Sequence, residues 1–339
     1  MNNLIQNQVA IFRSDKILSH IERVADWLNG KNPPPITMEI DLTNRCNNNC
    51  PQCIGFRQPL EDLKNPKRII KEIARFGIKG LIFTGGGEPT LHPEFVDCVQ
   101  YARILGLDVG VISNGLTLTK EISRAIKPYC VWIRVSLDAD SQEMHEKTHG
   151  IKDAFEIVCK NIKSLANIEG NATIGVGYLT GKETIKGMLK ATKLCKRMKV
   201  DYIQFRPYHN DFTLIDKELT KCLKLETEDF KVLYSKHKYD CMKTNDLGRN
   251  YSRCYGQQFA SVIAATGKMY LCCHFRSLEK YCLGDLNKQS IAEIWHSRKR
   301  LKAIKNIGNF EDCVPLCRCS SFNSILFDIK RKKEHPNFL

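Results

Sequence analysis

The feature that most constrains the fold is a repeated alternation of short apolar runs with longer helical patterns. Stretches with helical spacing, such as Lys67–Phe76, Ala154–Ala166 and Thr184–Met198, lie between runs of strand-forming residues. The runs are 36–42, 81–85, 108–113, 131–137, 172–179 and 201–207. Strands that alternate with helices are typical of a parallel α/β sheet, either open or curved into part of a barrel. In such folds ligands bind at the carboxyl ends of the strands.

The segments on either side of this region have different patterns. Ahead of it, helical spacing predicts an amphipathic helix from Asp15 to Asn29, closed by Gly30, with its apolar face at Ile17, Ile21, Val24 and Leu28. Beyond residue 210 we predict a helix near Thr227–Lys238, a β-hairpin turning at Thr266-Gly267 and a helix at about Ser290–Lys305. We therefore divide the chain into an N-terminal helical extension (1–35), a barrel (36–235) and a smaller cysteine-rich unit (236–339).

Composition narrows the class of protein. The 339 residues are 42% hydrophobic and 26% charged, which is typical of a globular chain with a substantial core. No apolar run reaches the roughly 18 residues of a membrane helix, and the N-terminus lacks the order of a signal peptide. We therefore expect a cytoplasmic protein without a membrane partner. The net charge of +15 comes from lysines spread along the chain, so we interpret it as a solvated surface and expect no nucleic-acid partner.

Three closely spaced cysteines follow the first predicted strand, in the sequence Cys46-Asn-Asn-Asn-Cys50-Pro-Gln-Cys53. Consecutive loop positions face different ways, so these thiols cannot all be core residues. Zinc is the alternative, but a structural zinc site needs a fourth ligand and usually comes as paired C-x-x-C motifs. Three cysteines on one loop suit an iron–sulfur cluster with one iron left open, which we favour.

This motif resembles the C-x3-C-x2-C signature of the radical S-adenosylmethionine (SAM) enzymes, and the resemblance extends from about Ile36 onward. It implies a partial (β/α)6 TIM-like barrel, with Cys46, Cys50 and Cys53 holding a 4Fe–4S cluster whose open iron binds the SAM amino and carboxylate groups. Reduction of the cluster cleaves SAM to methionine and a 5′-deoxyadenosyl radical, which removes a hydrogen atom from substrate. The resemblance also implies a reducing partner such as flavodoxin or ferredoxin.

Polar residues at the ends of later strands match the SAM site of that family. The turn Gly85-Gly86-Gly87-Glu88 after the second strand resembles the GGE motif, which implies that Gly86 and Gly87 allow close approach and Glu88 binds the SAM amino group. By the same resemblance, the predicted lining of the SAM ribose and methionine is Asn114, Ser136 and Asp138. Taken singly, such residues are ordinary turn and capping positions. Related enzymes often carry an arginine past the fourth strand, where this chain has His145 and His149.

A second group of cysteines lies near the C-terminal end. Cys254 precedes Gly267 by 12 intervening residues, and four more separate Gly267 from Cys272. This spacing resembles the C-x9–15-G-x4-C opening of the SPASM and twitch extensions, small α+β cysteine-rich domains of radical SAM enzymes. Because only Cys313-x3-Cys317-x-Cys319 follows, we predict one auxiliary 4Fe–4S cluster held by Cys254, Cys272, Cys313 and Cys317, with Cys319 as the substitute ligand. We predict that Cys273 and Cys282 are bystanders, since adjacent strand residues face opposite ways.

The other singled-out residues receive simpler interpretations. Arg206 closes the sixth strand and is the candidate catalytic residue, in contact with substrate or SAM; a surface salt bridge is the alternative. No metal role is assigned to His92 or His274. Six scattered cysteines are interpreted as small hydrophobic residues: Cys98, Cys130, Cys159, Cys195, Cys222 and Cys241. Ser261, Met269 and Trp295 are interpreted as structural.

Three functions are compatible with these observations. The leading hypothesis is hydrogen abstraction from a small polar molecule such as a sugar, cyclitol or nucleotide sugar, with the auxiliary cluster as electron acceptor, because the twitch spacing resembles most closely the aminocyclitol dehydrogenase. The second is a peptide- or protein-modifying maturase; such enzymes often carry an N-terminal recognition domain, whereas 35 residues precede the first strand here. The third, of a different class, is a non-catalytic zinc protein that binds RNA.

Overall fold

The structure is a computed structural model that describes residues 14–54, 59–244, 249–315 and 317–331. Its strands form one ten-stranded sheet in the order β10-β9-β8-β1-β2-β3-β4-β5-β6-β7. The strands are β1 Thr37–Asp41, β2 Gly80–Thr84, β3 Asp108–Ser113, β4 Trp132–Ser136, β5 Thr173–Thr180, β6 Tyr202–Pro207, β7 Lys231–Tyr234, β8 Ala260–Ile263, β9 Lys268–Tyr270 and β10 Cys282–Asp285. The helices are α1 Ile21–Leu28, α2 Pro66–Arg75, α3 Phe95–Ile104, α4 Lys120–Ile126, α5 Gln142–His149, α6 Phe155–Ala166, α7 Met188–Met198, α8 Asp216–Leu223, α9 Lys236–Lys243, α10 Ile291–Trp295, α11 Arg298–Lys305 and α12 Ser320–Lys330.

Strands β1 to β7 pair in parallel with their sequence neighbours, and helices connect them. All six predicted strands are present, and the sheet stays open, so the predicted α/β partial barrel is confirmed. The helix predicted over Thr227–Lys238 is wrong in its first half, because Lys231–Tyr234 is a strand paired with β6 and the helix begins only at Lys236. A short apolar run is compatible with both helical and strand periodicity, and here pairing with the open edge of β6 favours the strand.

The C-terminal unit continues the sheet of the barrel. The predicted hairpin at Gly267 is confirmed, with β8 and β9 antiparallel. Strand β8 also pairs in parallel with β1, on the side of β1 that β2 leaves open. The helix predicted over Ser290–Lys305 is interrupted, because the Ser297 hydroxyl accepts a hydrogen bond from the Arg300 backbone at 3.1 Å and caps a second helix.

The N-terminal segment packs against the C-terminal one. A 3₁₀ helix at Ser14–His20 leads into α1, and Gly30 has the left-handed backbone expected of a helix end. The predicted apolar face is wrong for Ile21 and Leu28, which are exposed. The change from 3₁₀ to α geometry alters the spacing of the buried residues, so Trp27 is buried in their place and contacts Phe259.

Side chains alternate between the two faces of the sheet. Apolar residues of the strands pack against the helices, whereas the inner face of the barrel carries polar and charged residues. Cys98, Cys130, Cys195 and Cys222 are buried in the core, and Cys159 and Cys241 pack against it, as predicted.

The residues interpreted as structural are buried. The Ser261 hydroxyl donates to the Tyr270 carbonyl at 2.6 Å, Met269 lies in the core, and the Trp295 indole donates to the Pro33 carbonyl at 2.9 Å. Within the described ranges, no helix has the length and apolarity needed to cross a membrane.

Candidate active site

The loop that carries Cys46, Cys50 and Cys53 leaves the end of β1 and is anchored to its neighbours through backbone hydrogen bonds. The Gly87 amide donates to the Thr43 carbonyl at 3.0 Å, and the Glu88 amide donates to the Arg45 carbonyl at 2.8 Å. On its other side, the Asn49 amide donates to the His149 carbonyl at 2.9 Å. The cysteine loop is therefore fixed between the turn after β2 and the end of α5.

Two glycines make these anchors possible. A Cβ on Gly87 would lie 2.1 Å from the Arg45 carbonyl oxygen, and a Cβ on Gly150 would lie 2.1 Å from the Asn49 carbonyl oxygen. Gly150 also has a positive φ of 63°. The close approach predicted at Gly87 is present, but its partner in the structure is the cysteine loop. The approach of Gly86 and Gly87 to SAM stays a prediction, and Gly150 is a contact that the sequence reasoning missed.

The three thiols are close enough to influence one another. Burial raises the pKa of Cys46, and burial together with the neighbouring Cys53 and Cys46 thiols raises the pKa of Cys50 to about 12. The Asn48 amide donates to the Cys46 sulfur at 3.4 Å. Thiolates crowded in this way need a cationic partner, so the loop fits an iron–sulfur cluster.

A single metal ion fits the described residues less well. Among residues 14–54, 59–244, 249–315 and 317–331, no group of three or more histidine, cysteine or acidic side chains has the arrangement that one ion needs. In a 4Fe–4S cluster each cysteine binds a different iron, so its sulfur ligands lie further apart than those of a tetrahedral zinc.

Glu88 links the ends of β2 and β3. Its carboxylate is buried, and Oε1 accepts hydrogen bonds from the Thr90 amide at 3.2 Å, the Thr90 hydroxyl at 2.7 Å and the Ser113 hydroxyl at 2.8 Å. Oε2 accepts from the Asn114 amide at 2.7 Å. Burial raises the pKa of Glu88, and these hydrogen bonds oppose the shift. The predicted contact of Glu88 with the SAM amino group therefore concerns Oε2, which accepts one bond from the described residues.

The other predicted SAM residues lie at adjacent strand ends. The Asn114 side-chain amide donates to the Asn47 side chain at 2.6 Å, which joins β3 to the cysteine loop. Ser136 closes β4. Asp138 is buried with a φ of 47°, and its Oδ1 accepts from the Leu179 amide at 2.6 Å. Asp138 also lies close enough to Cys50 to raise the pKa of that thiol. These residues therefore lie at or just beyond the carboxyl ends of the neighbouring strands β3 and β4.

Two histidines occupy the region where related enzymes carry an arginine. The rings of His145 and His149 stack with centroids 4.3 Å apart, and both are buried. Burial lowers the pKa of each to about 4, so both rings are neutral at physiological pH. The Nε2 atom of His149 lies 3.8 Å from the Asp138 carboxylate. The pair supports Asp138 without adding a positive charge.

The second cysteine group lines one cavity in the C-terminal unit. All four predicted ligands and the substitute Cys319 contribute to its wall: Cys254, Cys272, Cys313, Cys317 and Cys319. Burial raises the pKa of Cys254 to about 12, with contributions from the Cys317 and Cys313 thiols. Five thiols around one cavity fit the predicted auxiliary cluster.

The prediction that Cys273 is a bystander pointing away from this group is wrong, because Cys273 also lines the cavity. Strand β9 ends at Tyr270 and Cys273 begins a 3₁₀ turn, so the alternation of strand side chains does not apply to it. Cys282 packs on β10 against Val262 and Tyr270, outside the cavity, as predicted. His274, to which no role was assigned, lines the cavity with a buried Nε2 that has no hydrogen-bond partner. His92 accepts a hydrogen bond from the Glu94 amide at 3.1 Å.

Buried ion pairs join the C-terminal unit to β1. The Arg276 side chain donates from Nε to Asp41 Oδ2 at 2.7 Å, from Nη2 to Asp41 Oδ1 at 2.9 Å and from Nη2 to Glu39 Oε2 at 3.0 Å. Arg318 pairs with the other oxygen of Glu39. Two arginines and two carboxylates therefore form a four-charge network beside the second cysteine group, where Arg276 also donates to the Cys273 carbonyl at 3.0 Å.

Arg206 lies inside the barrel, so the surface salt bridge considered for it is wrong. The pKa of Arg206 is lowered by burial, and Asp138 opposes the shift. Arg134 of β4 and Lys238 of α9 lie close to Arg206, and the sequence reasoning missed both. A cation on the same face as Ser136 was nevertheless visible in the alternating sequence of β4, Trp-Ile-Arg-Val-Ser.

Comparisons with known proteins agree with this geometry. The Radical SAM superfamily matches residues 40–195, and an iron–sulfur cluster-binding domain named SPASM matches residues 254–320. The mycofactocin maturase MftC of Mycolicibacterium smegmatis is 32% identical over 139 residues, which cover 39% of this chain and 35% of the maturase. The AdoMet-dependent heme synthase of Methanosarcina barkeri is 23% identical over 304 residues, covering 80% of this chain and 85% of the synthase.

The fold is shared with solved structures. Streptococcus suis SuiB bound to its precursor peptide SuiA superposes with a TM-score of 0.67 at 14% identity, covering 94% of this chain and 78% of SuiB. With both cysteine groups placed in the matched regions and the barrel confirmed, the family's cofactors are SAM, the 4Fe–4S cluster and an auxiliary cluster. The chain is an enzyme that belongs to the radical SAM superfamily, with a C-terminal SPASM iron–sulfur domain.

Proposed function

We propose that this enzyme is a peptide- or protein-modifying maturase, which abstracts a hydrogen atom from a residue of a peptide substrate. The observation that carries the proposal is a row of interacting charged groups that links the two cysteine groups: Cys50 interacts with Asp138, Asp138 with Arg206, Arg206 with Lys238, and Lys238 with Cys317. The sequence identity with a mycofactocin maturase, and the fold shared with SuiB, whose structure contains its precursor peptide, support a peptide as the substrate. A sugar, cyclitol or nucleotide sugar has less support, because the names of these proteins refer to mycofactocin maturation, heme synthesis or a precursor peptide.

The chain's own residues have distinct tasks in this function. SAM and the cluster, when bound, supply the hydrogen-abstracting 5′-deoxyadenosyl group. Cys46, Cys50 and Cys53 hold that cluster, and Asn114 fixes their loop from β3. Asp138 and Arg206 border the interior, where burial excludes water from a reactive site. Lys238 connects the second cysteine group to these residues, because it interacts with both Cys317 and Arg206. Electrons would come from a partner such as flavodoxin or ferredoxin.

A second candidate is modification of a small, carboxylate-bearing cofactor. The heme synthase matches over most of both chains, whereas the maturase match covers 39% of this chain. The carboxylates of such a cofactor would suit the cations of the interior. Under this candidate the C-terminal unit has the same task, and only the occupant of the barrel differs.

The test is substrate-dependent 5′-deoxyadenosine release by the anaerobically reconstituted full chain. We expect peptides to stimulate release above the level with reductant alone, and to gain a mass change in the same reaction. Replacing Cys46, Cys50 and Cys53 together with alanine should abolish release, whereas Cys159→Ala, a cysteine outside both groups, should not. Stimulation by sugars, cyclitols or porphyrins, with none by peptides, would contradict the proposal.

A further inference from the structure

Two arginines inside the barrel have hydrogen-bonding groups without partners. Arg134 donates from Nη1 to the Gln204 side chain at 3.1 Å, but its Nε is buried and makes no hydrogen bond. The Nε of Arg206 is likewise buried without a partner. Within the described residues, neither guanidinium forms an ion pair with a carboxylate, although Asp138 lies close to both. A buried cation without an ion-pair partner lowers the stability of the fold unless a ligand supplies the missing negative charge and hydrogen-bond acceptors.

Two other buried arginines, which have a structural role, differ from Arg134 and Arg206 in having carboxylate partners. Arg276 makes two hydrogen bonds to Asp41 and one to Glu39, and Arg318 pairs with Glu39. Nothing equivalent is provided for Arg134 and Arg206 in the described ranges. Asp138 is already engaged by the Leu179 amide and by His149. The two arginines are therefore arranged for a partner that is not part of this chain.

A glycine of β5 lies beside both arginine side chains. Gly177 lies between them on the inner face of β5, and a Cβ there would be 3.0 Å from Nη2 of Arg206 and 3.7 Å from Cδ of Arg134. Lys238 of α9 adds a third buried cation close to Arg206, without a carboxylate partner among the described residues. Burial, together with the charges of Arg206 and Arg318, lowers the pKa of Lys238 to about 8.

The position of this cluster ties it to the chemistry. Arg206 faces Asp138, which faces Cys50 of the radical-site loop. On its other side Lys238 faces Cys317 of the auxiliary group. An auxiliary cluster on these thiols would offset the charge of Lys238, but it would offer no acceptor to the two guanidinium forks. A ligand that occupies the forks would lie between the two cysteine groups.

We infer that the peptide segment entering the barrel carries at least two carboxylates, supplied by Asp or Glu side chains, that bind Arg134 and Arg206. A carboxylate matches the planar fork of a guanidinium through two parallel hydrogen bonds, and each of the two forks takes one. Lys238 adds a point charge beside them. This inference rests on the proposed function, because it assigns the carboxylates to a peptide.

The test measures binding to the reconstituted full chain with SAM present and no reductant. The probes are the peptide Ac-Gly-Glu-Tyr-Glu-Gly-NH2, the same peptide with glutamine in place of both glutamates, and citrate as a small polycarboxylate. The variants are Arg134→Gln and Arg206→Gln, with Arg206→Lys as a milder change that keeps the charge but removes the fork. Arg197→Gln, an exposed arginine on α7, is the matched control.

We expect Arg134→Gln and Arg206→Gln each to weaken binding of the glutamate peptide at least about tenfold, the range for a charge-assisted bond, and Arg206→Lys to weaken it less. Binding of SAM and of the glutamine peptide should change less than about twofold, and Arg197→Gln should change nothing. Because an unpaired buried cation is removed, the thermal midpoint of the ligand-free variants should rise or stay constant.

Three outcomes separate the alternatives. Equal binding of both peptides by the wild type would overturn the inference. So would variants that weaken the binding of SAM but not of the glutamate peptide, because the arginines would then bind the SAM carboxylate. If citrate binds in an arginine-dependent manner and neither peptide binds, the carboxylate site stands and its assignment to a peptide falls with the proposed function. A lowered thermal midpoint for Arg206→Gln and Arg206→Lys would give Arg206 a structural role and overturn the inference.

Discussion

Replacing Arg276 with methionine tests the four-charge network that joins the C-terminal unit to β1. The change keeps an apolar stem of similar length but removes three hydrogen bonds to Asp41 and Glu39. Asp41 is fully buried and would lose its only described ion-pair partner, whereas Glu39 would keep Arg318. Breaking a buried ion pair from one side costs about 3–5 kcal/mol, because the remaining charge stays buried without compensation.

The assay is the apparent thermal midpoint of the reconstituted protein at neutral pH. At about 2 °C per kcal/mol, the scale for a large chain, the midpoint should fall by about 6–10 °C. The matched control is Lys268→Met, which breaks an exposed ion pair with Glu279 in the same unit and should cost less than about 1 kcal/mol. Adding Asp41→Asn to Arg276→Met should recover part of the loss, since the amide carries no charge.

The loss should also depend on pH. Burial raises the pKa of Asp41 above its usual value, while Arg276 opposes this shift, so removing Arg276 raises that pKa further. A carboxyl group with a raised native pKa contributes stability at low pH and loses it as the pH rises through that pKa. The loss of stability caused by Arg276→Met should therefore shrink as the pH is lowered. A midpoint within about 2 °C of the wild type at every pH would refute the reasoning.

Two further predictions concern the cysteine groups. Gly87→Ala places a Cβ 2.1 Å from the Arg45 carbonyl oxygen, so the hydrogen bonds that anchor the cysteine loop should be lost at a cost of about 2 kcal/mol. The variant should also retain less iron per chain. The control is Gly80→Ala, because the nearest atom to its added Cβ is 3.6 Å away. Cys254→Ala combined with Cys272→Ala should lower the iron content from roughly eight to four atoms per chain. Product should disappear while uncoupled 5′-deoxyadenosine release persists, and the control Cys282→Ala should change neither quantity. An unchanged iron content in the double variant would remove Cys254 and Cys272 from the ligand set.

Most of the barrel could be predicted because each strand reads as a run bounded by turn residues, and the carboxyl ends of parallel strands meet by topology. That rule predicts that Glu88, Asn114 and Asp138, which follow three neighbouring strands, lie along the same edge of the sheet. It failed at Lys231–Tyr234, where a short apolar run has no period long enough to distinguish strand from helix. It failed again at Cys273, because the end of β9 could not be located to the residue.

The interior cations were harder to predict for a different reason. Arg134, Lys238, Arg276 and Arg318 lie in four separate segments of the chain, and no local spacing links them. Arg276 and Arg318 come close to the barrel because β8 joins β1, a long-range pairing that carries no short sequence signal. A count of charge suggested a solvated surface, and that count does not distinguish an exposed lysine from one placed inside a barrel.

The pairing of β8 with β1 has a consequence for synthesis of the chain. About 220 residues separate the two strands, so at usual translation rates β1 waits on the order of 10–40 s for its second neighbour. An unpaired edge of this kind invites pairing with another nascent chain. During that interval Glu39 and Asp41 have no arginine partners, because Arg276 and Arg318 follow β8. Their repulsion at the open edge disfavours aggregation until the ribosome has delivered the arginines that neutralise them.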